Sequence, residues 1–412
     1  MARKADGDGR TAEHGGFFAV HREMWAIVSH RATMNQAVAY LTLARGSNFH
    51  ARTSAWSADA IERYTAIGRG RVKEAIAGLM EAGLIVRKRG GTRPLYYLPI
   101  ADEFERMYAP GAALSDAERS VFEKVKAAKN GLQLADDEAE VGDELDRRRV
   151  LMKSEEYGYF LHPDLDVALP EDWIWLPNNI VDGVEGRAGP VDQIRQTQDR
   201  LALRLFVDLY HSQSLASNGG LHWLMIREEY EKIPVGQQGI YEVFGFRSTG
   251  VMMWDTAPFV RPHLTGEHET IKEADGTTAE RDTGSTKVWA SLRKLLQLGV
   301  VQFVPHLIDA DTAEGEVIHP CPVSNGVPGE RAITAAAQDA AFRLLTEGQE
   351  RTALSKGYAP IIPLPRHLDN ALMVGLLRLT HRAHTSATAK WMKGAEDWAQ
   401  KVADYNRIAA DI

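Results

Sequence analysis

Seven cations fall within residues 69–93: Arg69, Arg71 and Lys73 in one run, then Arg87, Lys88, Arg89 and Arg93. The forked donors of arginine match the O6 and N7 acceptors of guanine, and lysine or arginine neutralises phosphate. Residues of these types at this spacing suit a polyanion. Glu74 interrupts the first run, and a carboxylate there can accept from a cytosine amino group. The whole 412-residue chain has a formal charge of −8, which taken alone speaks against nucleic acid. That sum combines two unlike parts. Residues 1–100 hold 15 Lys and Arg against 8 Asp and Glu, or +7; the remainder holds 33 against 48, or −15. A basic head on an acidic body implies a polyanion partner for the head only.

Other groups with chemical potential are weaker. Cys321 is the only cysteine, so the chain has no internal disulfide and no Cys₄ or Cys₂His₂ zinc site. His306, His319 and Cys321 can approach across a hairpin, and three such ligands could hold zinc. His381 and His384 lie one helical turn apart. Gly68-Arg69-Gly70 opens like a dinucleotide fingerprint, but Lys73 takes the third glycine position. Ser248, in GFRSTG, lacks the spacing of a nucleophile elbow. The paired carboxylates form no metal-nuclease pattern. The expectation is a protein without catalytic residues, metal or cofactor.

The elements that must carry the cations are legible in the pattern. A helix is expected over about 35–44, where Ala39, Tyr40, Leu43 and Ala44 recur at three- and four-residue spacing. Ser57 can cap a short helix, 58–65, which buries Ile61. Ala66-Ile67-Gly68 connects it tightly to a helix over about 69–82, whose apolar face is Val72, Ile76, Leu79 and Met80. Gly83 ends that helix. Strands follow at 84–89 and 95–98, joined at Gly90-Gly91.

This order, carried by SADAIERYTAIGRGRVKEAIAGLMEAGLIVRKRGGTRPLYYL over 57–98, resembles the winged helix-turn-helix family of DNA-binding domains. The resemblance covers about a tenth of the chain, or a fifth with the preceding helix. It implies that the third helix enters the major groove, with Arg69, Arg71 and Lys73 near its base-reading end. It implies that Arg87, Lys88, Arg89 and Arg93 lie on a wing that contacts phosphate or the minor groove. The alternative is a structural winged helix whose charged face meets protein.

Beyond residue 100 the pattern suggests a second copy. TKVWASLRKLLQLGVVQFVP lays on GRVKEAIAGLMEAGLIVRKR, pairing Val288, Leu292, Leu295, Leu296 and Gly299 with Val72, Ile76, Leu79, Met80 and Gly83. Ser285, Lys287 and Trp289 replace the three helix cations. The second wing would carry Asp309, Asp311, Glu314 and Glu316, which repel phosphate; Lys287, Arg293 and Lys294 would add at most a weaker contact. An acidic loop is expected over 267–282, and helices over 332–346 and 368–409. Trp391 and Trp398, seven apart, read as packing or dimer residues.

The expected fold class is mainly α with small β-hairpin wings: tandem winged-helix domains plus a helical C-terminal segment. The expected organisation is a flexible tail (1–15), a winged-helix DNA-binding domain (16–100), a charged helical linker (101–156), a second winged-helix-like domain with an insertion (157–323) and a helical C-terminal region (324–412). The expected function is sequence-specific binding of double-stranded DNA through residues 57–98. Two linked winged helices are similar to plasmid and phage replication initiators, which implies binding at origin repeats. The alternatives are a winged-helix transcriptional repressor and a protein-interaction adaptor. A homodimer or a host protein would engage the acidic second domain and the C-terminal helices. The N-terminus lacks the apolar core of a signal peptide, and Ala371–Leu379 is too short to span a bilayer, so the expectation is a cytoplasmic protein without membrane contact.

Overall fold

A computed structural model describes residues 16–411 apart from 49–50, 92, 102, 105–114, 129–130, 148–150, 155–157, 162–172, 185–186, 214–218, 254–258, 273–275, 277, 311–314, 323–325, 365–369 and 383–394. The chain divides into two compact units: Met1–His211 with Lys287–Lys294, and Ser212–Thr286 with Leu295–Ile412.

The elements of the first part are β1 (Phe17–His21), α1 (Arg22–Arg31), α2 (Met34–Arg45), β2 (Thr53–Ser54), α3 (Ala58–Thr65), α4 (Arg69–Glu81), β3 (Val86–Arg89) and β4 (Leu95–Tyr97). After these come α5 (Asp116–Ala127), α6 (Asp136–Arg147), β5 (Leu151–Ser154), β6 (Gly158–Leu161), β7 (Trp173–Pro177), α7 (Asn179–Asp182), α8 (Pro190–Gln196) and α9 (Arg200–Ser212). Helix α2 is the hub. Its residues Ala37 to Ala44 are all buried, and it packs on α3, α4, α8 and β1. A helix apolar on every side needs partners on every side. Its start is fixed by a capping box, in which the Thr33 hydroxyl accepts from the Gln36 amide and the Gln36 side chain accepts from the Thr33 amide. β2, β4 and β3 form a three-stranded antiparallel sheet in that order. β1 pairs antiparallel with β7.

The charged segment after residue 100 packs a small core of its own. Val121, Val125, Leu145, Leu151 and Tyr159 are buried together between α5, α6, β5 and β6. Ser115 and Glu118, spaced as a capping box, form one at the start of α5.

Further along the chain come β8 (Arg227–Gln238), β9 (Tyr241–Met253), β10 (His268–Lys272), β11 (Thr278–Asp282), α10 (Thr283–Gln297, of which Lys287–Lys294 belong to the first unit), β12 (Val301–Ile308) and β13 (Val317–Pro320). It ends in α11 (Pro328–Leu344), α12 (Glu347–Ser355), β14 (Ala359–Ile361), β15 (Leu372–Leu379) and α13 (Ala395–Asp411). Six strands make a curled antiparallel sheet in the order β13-β12-β15-β8-β9-β14. One face packs on α11 and α13 through Phe244, Phe246, Leu307, Met373, Ile333, Tyr405 and Ile408. The alanines 336, 337, 340 and 341 of α11 are buried in this core. The other face buries Trp223 with Ile308, Val374 and Leu376.

This architecture corrects the expected fold class. The chain is 48% helix and 28% strand, not mainly α with small hairpin wings, and tandem winged helices do not describe it. The physical cause is β15. LMVGLLRL is buried on both faces, so it lacks the alternation that marks a half-exposed strand and resembles part of the helix expected over 368–409. β15 pairs with β12 from Val301–Leu379 to Ile308–Leu372. Of the two strands expected to form a second wing, β12 is therefore an interior member of this sheet and β13 is its edge strand. The C-terminal region expected to be helical contributes two strands to that sheet, and the expected acidic loop over 267–282 is the β10–β11 hairpin.

Candidate nucleic-acid interface

Helix α4 and the β3–β4 hairpin bring the seven cations onto the first unit's surface, and all seven are exposed. The connection from α3 is short because Ala66 takes the left-handed conformation (φ 49°) and Ile67 is buried at 2% exposure. Gly68 is the N-cap of α4. The buried face of α4 is Val72, Ala75, Ile76 and Leu79; Met80 is only half-buried. With 3.6 residues per turn, Arg69 and Lys73 share one flank and Arg71 takes the other. Gly70, Glu74 and Ala77 lie between them on the outer face, so a carboxylate sits among the helix cations. Gly83 follows α4 with φ 69°.

The start of α4 suits an anion. No side chain caps it, and its first turn holds no acidic residue. Its unsatisfied amides and dipole present partial positive charge, and Arg69 and Arg71 add more. Cations at that end oppose the dipole rather than complement it, a cost that a polyanion would offset. Helix α10, the proposed copy, is different. The Asp282 carboxylate accepts from the amides of Gly284 (2.8 Å) and Ser285 (3.1 Å), and from Gly266 at 2.7 Å. Burial alone would raise this carboxyl, but the bonds from Thr265, Ser285, Gly266 and Gly284 hold it below the usual range. Trp289 of α10 is buried, Arg293 lies over its ring at 5.7 Å, and Lys294 pairs with Asp199 at 2.6 Å. Lys287 and Arg293 are exposed. Asp311 and Glu314 lie outside the described residues.

The hairpin has a brace that the sequence reading missed. β3 pairs with β4 as Val86–Tyr97, Arg87–Tyr96 and Arg89–Leu95, so one extra residue bulges on β3 beside Lys88. Arg87, Lys88 and Arg89 are consequently all exposed. The Lys88 Nζ lies 5.0 Å from the centre of the Tyr97 ring, and the Arg52 guanidinium lies 4.9 Å from the same centre. The Tyr97 hydroxyl donates to Glu103 at 2.9 Å, and Arg52 bonds Glu103 and the Tyr97 oxygen. Near the tip, Arg89 Nε donates to the Arg93 carbonyl at 2.9 Å.

The start of α3 is braced as well. Trp56 stacks on Tyr64 with centroids 4.9 Å apart, and Arg45 lies over Trp56 while gripping Asp182 at 2.6 Å. Gly46 permits this, since a Cβ there would come within 2.1 Å of Trp56. Ser57 occupies the N-cap, but its hydroxyl makes no capping bond, contrary to expectation. Asp59 pairs with Arg69 at 2.9 Å. Asp59, Arg52 and Glu103 gave no periodic signal; their roles come from contacts between elements.

The other candidate groups are set apart from this surface. His319 and Cys321 do meet, with Sγ 3.2 Å from Nδ1, while His319 Nε2 bonds the Tyr405 hydroxyl at 2.7 Å. Burial pushes the Cys321 thiol up to about 12. His306 is directed elsewhere: its Nε2 lies 2.6 Å from Arg378 Nη2, and its Nδ1 donates to the Val304 carbonyl at 2.7 Å. Arg378 also pairs with Glu330 at 2.9 Å, both buried. Among the described residues, no group of three or more His, Cys, Asp or Glu is arranged to hold a metal ion. Ser248 donates to Glu228 at 2.6 Å. His384 and Trp391 lie outside the described residues. No helix among those described is long and apolar enough to cross a membrane.

No protein-family model matches the chain, and no curated protein matches its sequence.

Proposed function

We propose that this protein binds double-stranded DNA through residues 57–98, with sequence read by the start of α4 and phosphate held by the hairpin. The observation that carries this reading is the exposed set of seven cations on two neighbouring elements, at a helix start that lacks an acidic cap. The local order α2, β2, α3, α4, β3, β4 is that of a winged helix, which adds support. In that arrangement Arg69, Arg71 and Lys73 face base edges, and Arg87, Lys88, Arg89 and Arg93 lie along phosphate. The deciding experiment retains random duplexes on the full chain at several salt concentrations and sequences the bound pool. Enrichment of one motif supports the reading; retention of no duplex at low salt overturns it. Initiator and repressor separate genetically: a plasmid origin maintained only when the chain is supplied marks an initiator.

A further inference from the structure

We infer that Asp59 is a specificity-determining residue of this interface, acting by fixing the orientation of Arg69. The inference rests on the duplex-binding reading above. Asp59 Oδ1 lies 2.9 Å from Arg69 Nη1, joining the first turn of α3 to the first residue of α4. The two side chains are 62% and 59% exposed, and an ion pair so exposed adds little to stability. Among the described residues, Arg71, Lys73, Arg87, Lys88, Arg89 and Arg93 have no carboxylate within ion-pair distance. The one cation tied to an acid is therefore the one at the very start of α4.

A carboxylate on a phosphate-facing surface works against affinity, because it repels the backbone at every sequence alike. It works for discrimination. A free arginine can turn to the nearest phosphate, whereas one pinned at Nη1 has fewer orientations to lose on docking. The pairing leaves Nε and Nη2, two donors spaced for guanine O6 and N7. If Arg69 turned away to phosphate, Asp59 would lose its partner beside the DNA. Asp59 thus penalises non-cognate binding and rewards the cognate base, the repulsive half of a specific interface.

The test uses the full chain and the duplex enriched in the selection above. Affinities are measured by fluorescence anisotropy for that duplex, for versions with each guanine replaced in turn, and for a scrambled duplex. Four proteins are compared: wild type, D59A, R69A and D59A/R69A. The expected result is that D59A binds the scrambled duplex more tightly than wild type does. It should also lose about tenfold in discrimination at one guanine position. R69A should lose discrimination at that same position, and the double variant should lose no more than R69A. Unchanged discrimination in D59A, or losses that simply add in the double variant, overturns the role of Asp59 and leaves duplex binding standing. Wild-type protein that retains no duplex overturns both.

Discussion

At the scale of single residues, the surface cations divide by what they can reach. Arg71, on the flank of α4 away from Asp59, should read a base edge. Arg71→Ala should cost roughly 1–3 kcal/mol on the enriched duplex and far less on a scrambled one. Lys88→Ala should weaken both duplexes alike and lower the slope of log affinity against log salt by about one. Anisotropy titrations across salt separate the two behaviours. In the core of the second unit, Arg378 bridges Glu330 and His306. Arg378→Met strands the Glu330 carboxylate in a site with 0% exposure, so it should cost about 3–5 kcal/mol in urea unfolding. Replacing both partners by apolar residues should recover much of that loss. Residue types were visible in the sequence, but partnerships such as Asp59–Arg69 and Arg378–Glu330 were not, because they join separate elements.

At the scale of elements, the sequence is legible where local chemistry governs. The turn at 66–68, the stop at Gly83, the hairpin over 86–97 and the Ser115–Glu118 box all follow from neighbouring residues. Gly83 and Gly299 follow α4 and α10 with φ of 69° and 67°, so this detail of the matched segments is real. Alanine at either site should lower stability by about 1–2 kcal/mol in urea unfolding. The parallel stops after the first strand. β3 ends in an exposed hairpin, whereas β12 is paired on both sides. β8 leaves no such signal, since REEYEKIPVGQQ is half-buried along most of its length and shows no apolar alternation. The wing offers a further test of its brace. Tyr97→Phe keeps the ring beneath Lys88 and should preserve the salt slope; Tyr97→Leu should shift it toward that of Lys88→Ala.

At the scale of the whole molecule, charge and burial make separate forecasts. If all seven cations meet phosphate, the salt slope should reach about −6; a base-reading subset brings it nearer to zero. His306 contributes to the acid sensitivity of the fold. Burial, then Arg378, holds its pKa well below the usual value, with His319 and Arg382 acting in the same direction. The unfolded chain takes up that proton near pH 6.5 while the folded chain does not. Its stability contribution is therefore full above about pH 6.5 and is lost as the pH falls below it. Chemical unfolding at pH 7.5 and 5.5 should show this loss, and His306→Gln should reduce the pH dependence. The sequence by itself determined the basic head, the helix that starts at Arg69 and the hairpin, because composition, turns and caps act over a few residues. Tertiary structure alone decided the six-stranded sheet and the loss of the second wing. A strand buried on both faces carries no period, and its partners lie up to 150 residues away. It also decided which cations are paired, because that depends on where α3 sets Asp59 against α4.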